Sequence, residues 1–358
     1  MKTTAHHPPP NKGSVRILLC GYGHLGLALL EGLLGCGDQC ELVGVFRWSS
    51  RRGSENYWEP VEGVFQKRVA ETGLKDIRCK GMNSYEFADI LQQLKPDVVL
   101  VGSWGEILRR HVLDEARPIL INCHPSKLPA HRGANPYSSV IRTEEIETGV
   151  TFHRMATQID AGAIILQQTI PLTTGEDGAS VRDKCAMAAQ AIIPELVRLL
   201  NDHLAERSPL PQIEQDPSQQ SYFSQLKPED GALQWEDTAE AMHRQIRSLF
   251  PWIACYGVLE GRRPVIFYDP RFVVGNSQGQ APGTILSLQR GTLQIALADN
   301  SLVLEVSSYQ FGRARARQYW PLWFSQILAP FILQPGKRFI TPQLKTSAPL
   351  EELANAQL

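Results

Sequence analysis

No uninterrupted apolar run of about 18 residues occurs in this sequence, so a membrane-spanning helix is not expected. No Cys-x-x-Cys pair occurs either. The seven cysteines (Cys20, Cys36, Cys40, Cys79, Cys123, Cys185 and Cys255) are odd in number and scattered, which argues against a disulfide framework or a zinc ribbon. A reducing compartment, the cytoplasm, is the expectation, and no metal site is expected. Charge of one sign is missing as well. The formal net charge of -1 excludes a global basic field for nucleic acid and leaves room only for local patches, so DNA is not an expected partner. The opening MKTTAHHPPPNKG lacks an apolar signal core and is read as a loose tail over residues 1–14, with its His6-His7 pair solvated.

What is present suffices for a folded enzyme. The chain has 358 residues, 43% hydrophobic and 20% charged, which points to two domains with sizeable cores. Residues 15–20 (VRILLC) enter GYGHLG, and LALLEGLLGCG follows with helical spacing before ELVGVF, a second buried strand. Strand, glycine turn, helix and strand open a doubly wound α/β sheet. SYEFADILQQL and EILRRHVLDEA read as helices. PDVVLVGSW, PILINCH, GVTFHR and AIILQQTI read as strands, and SVRDKCAMAAQAIIPELVRLLNDHL as a long closing helix. This α/β domain is expected over 15–205. Residues 206–231, rich in Pro, Gln and Ser, read as a linker. One helix, TAEAMHRQIRSLF, and short strands punctuated by Gly, Asp and Asn then predict a small β-barrel or sandwich over 232–340. Residues 341–358 read as a second loose tail.

Gly21, Gly23 and Gly26 spell Gly-x-Gly-x-x-Gly between a strand and a helix. Such glycines either cradle a dinucleotide pyrophosphate or permit close helix–strand packing. The acidic residue that would hold ribose hydroxyls at the end of the next strand is absent. Arg47 and Trp48 stand there instead, so the surviving form of this reading is an NADP-dependent oxidoreductase.

A second motif carries more chemistry. In PILINCHPSKLPAHRG the strand ends at Pro125, and Asn122 and His124, two residues apart, project from one face at its carboxyl end. QIDAG places Asp160 in a loop before another strand. Asn, His and Asp suit acyl transfer. Asn122 and a protonated His124 can donate hydrogen bonds to a tetrahedral oxyanion, and Asp160 can orient the ring, raise its pKa and relay a proton. By spacing alone, a strand-end cap and an Asx turn account for the same residues.

NCHPSKLPAHRG together with GVTFHRMATQIDAGAIILQQ resembles the folate-dependent formyltransferase superfamily, which includes methionyl-tRNA, glycinamide ribonucleotide and sugar N-formyltransferases. The family's Asn-x-His-Pro-Ser-x-Leu-Pro segment matches at Asn122, His124, Pro125, Ser126, Leu128 and Pro129, its Arg-Gly at Arg132 and Gly133, and its Asp-x-Gly at Asp160 and Gly162. The likeness covers about residues 15–310 and is closest in layout to methionyl-tRNA formyltransferase. It implies a Rossmann-like formyltransferase domain followed by an OB-like barrel, with 10-formyltetrahydrofolate as co-substrate. It further implies Asn122, His124 and Asp160 as catalytic residues. The reduced folate is expected along Ser103, Trp104, Gly105, Glu106 and Ile107 and along Ile159, Asp160, Ala161 and Gly162. A non-catalytic folate-binding relative is the alternative within the same resemblance.

The acceptor amine stays open between a small molecule and initiator methionyl-tRNA. The loop FRWSSRRGSENYWEP offers Arg47, Arg51 and Arg52 for phosphates, but also Trp48, Tyr57 and Trp58 for stacking. Arg132 and Gly133 are further acceptor-side candidates. Residues 206–358 carry fourteen Lys and Arg against fourteen Asp and Glu, a balance unlike a tRNA-binding surface, with GRARARQYW as the one basic patch. His131 replaces the bulky aromatic that precedes Arg-Gly in the tRNA enzymes.

Overall fold

Runs of Val, Ile and Leu too short for helices and buried on both faces give the first domain its sheet. The computed structural model describes residues 13–52, 60–113, 118–260, 264–313, 316–319 and 322–341. The chain divides into two compact units, Met1–Gln225 and Leu226–Leu358.

In the first unit the elements follow in order: β1 (Val15–Gly21), α1 (Gly23–Gly35), β2 (Cys40–Arg47), α2 (Pro60–Thr72), α3 (Tyr85–Leu94), β3 (Val98–Gly102), α4 (Arg110–Leu113), β4 (Ile119–His124), β5 (Arg132–Gly133), α5 (Pro136–Arg142), β6 (Glu147–Arg154), β7 (Ile164–Pro171), α6 (Gly178–Leu204) and β8 (Tyr222–Phe223). The main sheet has the order β2-β1-β3-β4-β6-β7. Its first four strands are parallel, and β6 and β7 are antiparallel additions. Leu25, Leu29 and Leu33 of α1 and Ile193, Leu196 and Leu200 of α6 cover one face together with Ile17, Leu19 and Ile121. Phe46, Phe87, Met82 and Val101 fill the other face. Asp177 and Ser180 close a capping box at the start of α6. The helix expected over EILRRHVLDEA is confined to Arg110–Leu113 among the described residues, because Glu106 turns away to accept hydrogen bonds from the Met82 amide and the Trp104 indole.

The Pro-, Gln- and Ser-rich stretch is not an idle tether over its first part. Ile213 bridges to Ile164, β8 pairs with β5, and Gln215 reaches the loop around Asp160. Composition made this segment look like a spacer. Its backbone and amide side chains instead satisfy polar groups of the first unit.

The second unit holds α7 (Ala239–Leu249), β9 (Cys255–Leu259), β10 (Pro264–Phe267), β11 (Arg271–Val274), β12 (Ile285–Gln289), β13 (Thr292–Ala296), β14 (Leu302–Val306), β15 (Tyr309–Arg313), β16 (Ala316–Tyr319), α8 (Leu322–Ile332) and β17 (Phe339–Ile340). They form antiparallel sheets of order β16-β15-β10-β9-β17 and β11-β14-β13-β12 around Trp235, Phe267, Leu304 and Phe339. No helix among the described residues is long and apolar enough to cross a membrane. All seven cysteines are unpaired.

The Gly-x-Gly-x-x-Gly turn has an internal explanation. A Cβ on Gly26 would lie 2.9 Å from the Gly21 carbonyl carbon and 2.9 Å from the Phe65 ring, so the glycines let α1 close onto β1. The amide of Gly23, at the N-terminus of α1, donates to Glu62 Oε1 at 2.7 Å, and Glu62 is fully buried. A fixed carboxylate thus holds the place where a pyrophosphate would dock and would repel it. Arg47, expected at a 2′-phosphate or an acceptor, is only 3% exposed, with Nη2 2.8 Å from Asp76 and Nη1 3.6 Å from Glu62. The dinucleotide reading is therefore set aside. Gly26→Ala should cost about 1–3 kcal/mol in denaturant unfolding, because neither backbone nor the buried Phe65 can yield freely. A loss below about 0.5 kcal/mol would refute close packing as the role of this glycine.

Candidate active site

Alternation along β4 sends Ile121 and Cys123 into the core and leaves Asn122 and His124 on the other face. The loop between β6 and β7 folds back over that face. Asp160 sits in it with φ +53, a conformation costly for a residue with a side chain and sustained here by its surroundings. Gln215 Nε2 donates to the backbone carbonyls of Asp160 (2.8 Å) and Gly162 (2.7 Å), and the Gly133 amide donates to Asp160 Oδ2 at 2.9 Å. A Cβ on Gly162 would lie 1.9 Å from the Arg154 carbonyl oxygen, so only glycine fits there.

These constraints bring Asn122, His124 and Asp160 together. Asn122 Nδ2 donates to Asp160 Oδ1 at 3.3 Å, and His124 Nδ1 lies 3.4 Å from Asp160 Oδ2. His124 Nε2 is 2.8 Å from the backbone carbonyl of His131, which can only accept, so Nε2 carries a proton and Nδ1 faces the carboxylate. That carbonyl is itself fixed. His131 has φ +59, its amide donates to Ser221 Oγ, its ring pairs with Ser139 Oγ at 2.8 Å, and it stacks on Phe223.

Burial lowers the His124 pKa below the ordinary imidazole value, opposed by the Asp160 carboxylate and by the His131 carbonyl. Asp160 thus acts on this ring in the expected direction, but desolvation of a ring 4% exposed is the larger influence. Burial pushes the Asp160 carboxyl up, but His124, His153 and the Gly133 amide together hold it well below the usual carboxylate range. So depressed a carboxylate is a weak base, and it is held by the Asn122 amide and the Gly133 amide.

Sequence reasoning missed His153. It stands opposite Asn122 in the β4–β6 register, and its Nε2 lies 3.2 Å from Asn122 Nδ2 and 3.5 Å from Asp160 Oδ1. Sequence reasoning also missed Gln215, which accepts from the Arg132 guanidinium at 2.6 and 3.1 Å while donating to the Asp160 loop. Arg132 is buried, with Gln220 as a further acceptor, and Gly133 serves Asp160. Both expected acceptor contacts are therefore used inside the first unit.

Ser103, Trp104, Gly105, Glu106 and Ile107 follow the end of β3 as an irregular loop. Ser103 has φ +56 and shares a hydrogen bond with the Tyr137 hydroxyl. Trp104 packs edge-on against Phe46 and Trp48. A Cβ on Gly105 would meet the Trp48 ring at 2.8 Å. Ile107 is exposed, and Ile159 and Ala161 are half-buried beside Asp160. The arginines of the preceding loop are paired. Arg51 lies 4.1 Å over the Trp48 ring and 3.3 Å from Glu106, and Arg52 lies 2.7 Å from Glu86. Trp48 is half-buried, with Arg51 over its ring and Trp104 against its edge. Tyr57 and Trp58 lie outside the described residues, as do the side chains of the 312–317 arginines. No group of three or more His, Cys, Asp or Glu among the described residues is arranged to hold a metal ion.

The formyl transferase family pattern matches residues 48–197, and the pattern of the formyl transferase C-terminal domain matches residues 225–320. The chain belongs to the formyl transferase family. It is 30% identical to the methionyl-tRNA formyltransferase of Moorella thermoacetica over 77% of this chain and 86% of that protein. The Geobacter sulfurreducens protein of the same name is 29% identical over 90% of this chain and 96% of its own length. Among solved structures, HypX from Aquifex aeolicus superimposes with a TM-score of 0.61 at 16% identity, covering 93% of this chain and 52% of that one. An N-formyltransferase from Helicobacter canadensis gives a TM-score of 0.54 at 16% identity over 82% of this chain and 98% of that one. These two likenesses concern the fold.

The electrostatics of this formyltransferase make a prediction that needs no substrate. In an NMR titration the His124 ring should titrate below its usual value, and Asp160→Asn should lower that value further by removing the anion that raises it. A rise in Asp160→Asn would refute the assignment. Because the folded pKa lies below the unfolded one, the His124 contribution to stability is complete above about pH 6.5 and is lost as pH falls towards the folded value.

Proposed function

We propose that this formyltransferase moves a formyl group from 10-formyltetrahydrofolate to a small primary amine, with Asn122, His124 and Asp160 as its catalytic residues. The observation that carries this reading is their convergence on one buried point at the carboxyl end of β4. The donor reading is supported by the loop after β3. Among the described residues, the amides of Trp104, Gly105, Glu106 and Ile107 donate to no backbone acceptor, which suits a planar heterocycle that needs edge hydrogen bonds. The HypX structure is described with tetrahydrofolic acid, and the Helicobacter canadensis enzyme with folinic acid and dTDP-3-aminofucose.

In the proposed reaction the amine nitrogen attacks the formyl carbon and the carbonyl electrons move to oxygen. The Asn122 amide donates to that oxyanion, giving up its long bond to Asp160. The neutral His124 takes the amine's surplus proton at Nδ1. The imidazolium so formed, beside the ionised Asp160, passes that proton to the donor nitrogen as the bond from formyl carbon to folate breaks. Soluble substrates and seven unpaired thiols fit a cytoplasmic setting.

The small-amine reading rests on the pairing of Arg47 and Arg51 with partly buried carboxylates, which leaves Arg52, in an exposed pair with Glu86, as the easily recruited arginine among the described residues of that loop. Methionyl-tRNA is the second reading, favoured by the names of the relatives that match over both domains. Incubation with 10-formyltetrahydrofolate and a panel of amino sugars, amino acids and initiator methionyl-tRNA decides between them. For a small acceptor, the rate should change little between about 50 and 200 mM salt, whereas a multi-phosphate interface loses affinity steeply over that range. Asn122→Ala should lower kcat by about 10²–10³, and Asp160→Asn by about 10². A folded Asp160→Asn enzyme with unchanged kcat would remove that residue from the mechanism.

A further inference from the structure

We propose that His153 is a positioning residue that fixes the side-chain amide of Asn122 with its N–H groups, and not its oxygen, turned toward the reacting centre. The inference rests on the catalytic reading of Asn122 given above. His153 Nδ1 lies 2.8 Å from the backbone carbonyl of Arg154. A carbonyl only accepts, so Nδ1 carries the ring proton and, in the neutral ring, Nε2 is left with a lone pair. The Arg154 carbonyl cannot drift, because Gly162 packs against it and the Arg154 amide donates to Ala163 at 2.9 Å. The strand register sets Asn122 directly across from His153, and the two side chains meet at 3.2 Å.

Two acceptors therefore face one end of the Asn122 amide: the His153 Nε2 lone pair at 3.2 Å and Asp160 Oδ1 at 3.3 Å. With the amide turned over, its oxygen would confront a lone pair and a carboxylate inside a buried site, and neither contact could be a hydrogen bond. The nitrogen is thereby locked inward, one hydrogen toward His153 and the other toward Asp160. When the formyl oxygen gains charge, it takes the hydrogen held by the longer Asp160 contact. His153 keeps the other, so the amide does not rotate as it changes partner. His153 touches neither the formyl group nor the amine in this scheme. It acts through Asn122.

A double-mutant cycle on the full-length enzyme tests this, read as kcat and as KM for each substrate. His153→Leu removes the acceptor. His153→Asn serves as a second variant, in which the short amide keeps a donor for Arg154 but withdraws the acceptor. His153→Gln places a carbonyl oxygen near the Nε2 position. Both His153→Leu and His153→Asn should lower kcat by about 10-fold to 10²-fold, with KM for 10-formyltetrahydrofolate changed less than threefold, and His153→Gln should recover most of the loss. In the Asn122→Ala background the same changes should cost almost nothing further. An additive loss in that background, or full kcat in His153→Asn, would overturn the proposal. An Asn122→Ala enzyme with normal kcat would instead overturn the catalytic reading beneath it, and so the two failures are distinguishable.

Discussion

A carboxylate held out of water is the constraint around which the first unit is arranged. Asp160 is a charge in a nearly closed site, on a backbone conformation that costs energy of its own, and an uncompensated buried charge is severely destabilising. Three parts of the chain hold it in place. β4 brings the Asn122 amide, the turn at Gly133 brings a backbone amide, and the segment around Gln215 holds the loop's own carbonyls, while the His124 and His153 rings close the site around it. Each of these groups also has a second bond that fixes its orientation. His124 is held by the His131 carbonyl, His153 by Arg154, and Gln215 by Arg132. An anion so surrounded stays ionised. In the proposed reaction its value lies in the field it imposes on a neighbouring imidazole that gains and loses a proton.

A second buried carboxylate, Glu62, governs the opposite edge of the same sheet. It accepts from the first amide of α1 and from Ser49, and its charge is balanced by Arg47. The glycine turn has the outward form of a phosphate cradle, yet its helix terminus is already neutralised from within. This explains how one sheet can open with a dinucleotide-like motif and yet gather Asn122, His124 and Asp160 two strands away. The free carboxyl end is at β4, where the parallel strands give way to the antiparallel pair β6–β7.

The legibility of this arrangement in the sequence follows the range of the interactions. Period-two alternation put Asn122 and His124 on one face of a strand, and a local motif marked Asp160. Those features depend on a few adjacent residues. That a β-rich part follows the α/β part was legible too, although the composition changes after residue 205 while the compact units divide between Gln225 and Leu226. His153 was not legible, since its role appears only when the register sets it across from Asn122, 31 positions earlier. Gln215 looked like linker for a similar reason: its partners are 53 and 55 residues away in sequence. Arg47 was read as a phosphate contact because a strand-end arginine carries no local sign of the Asp76 and Glu62 that enclose it. The net direction of the His124 pKa was not legible, because burial, the larger influence, is invisible in a motif.

The three arginines of the 47–52 loop differ in what it would take to recruit them to an anion. Exposed ion pairs are worth about 0–1 kcal/mol, so Arg52 can leave Glu86 for a phosphate at little cost. Arg47 cannot, because withdrawing it would strand Glu62 in the core. Arg51 is the informative case. Its partner Glu106 also accepts from the Met82 amide and the Trp104 indole, within the loop that follows β3. Glu106 therefore ties the 47–52 loop to the loop after β3 that is proposed to meet the folate. An acceptor that drew Arg51 away would leave the Glu106 charge to be carried by those two donors alone, and would disturb the packing of Trp48 on Trp104 and Gly105. A small amine held without phosphate contacts leaves that connection intact, whereas a polyanion engaging Arg51 must work against it.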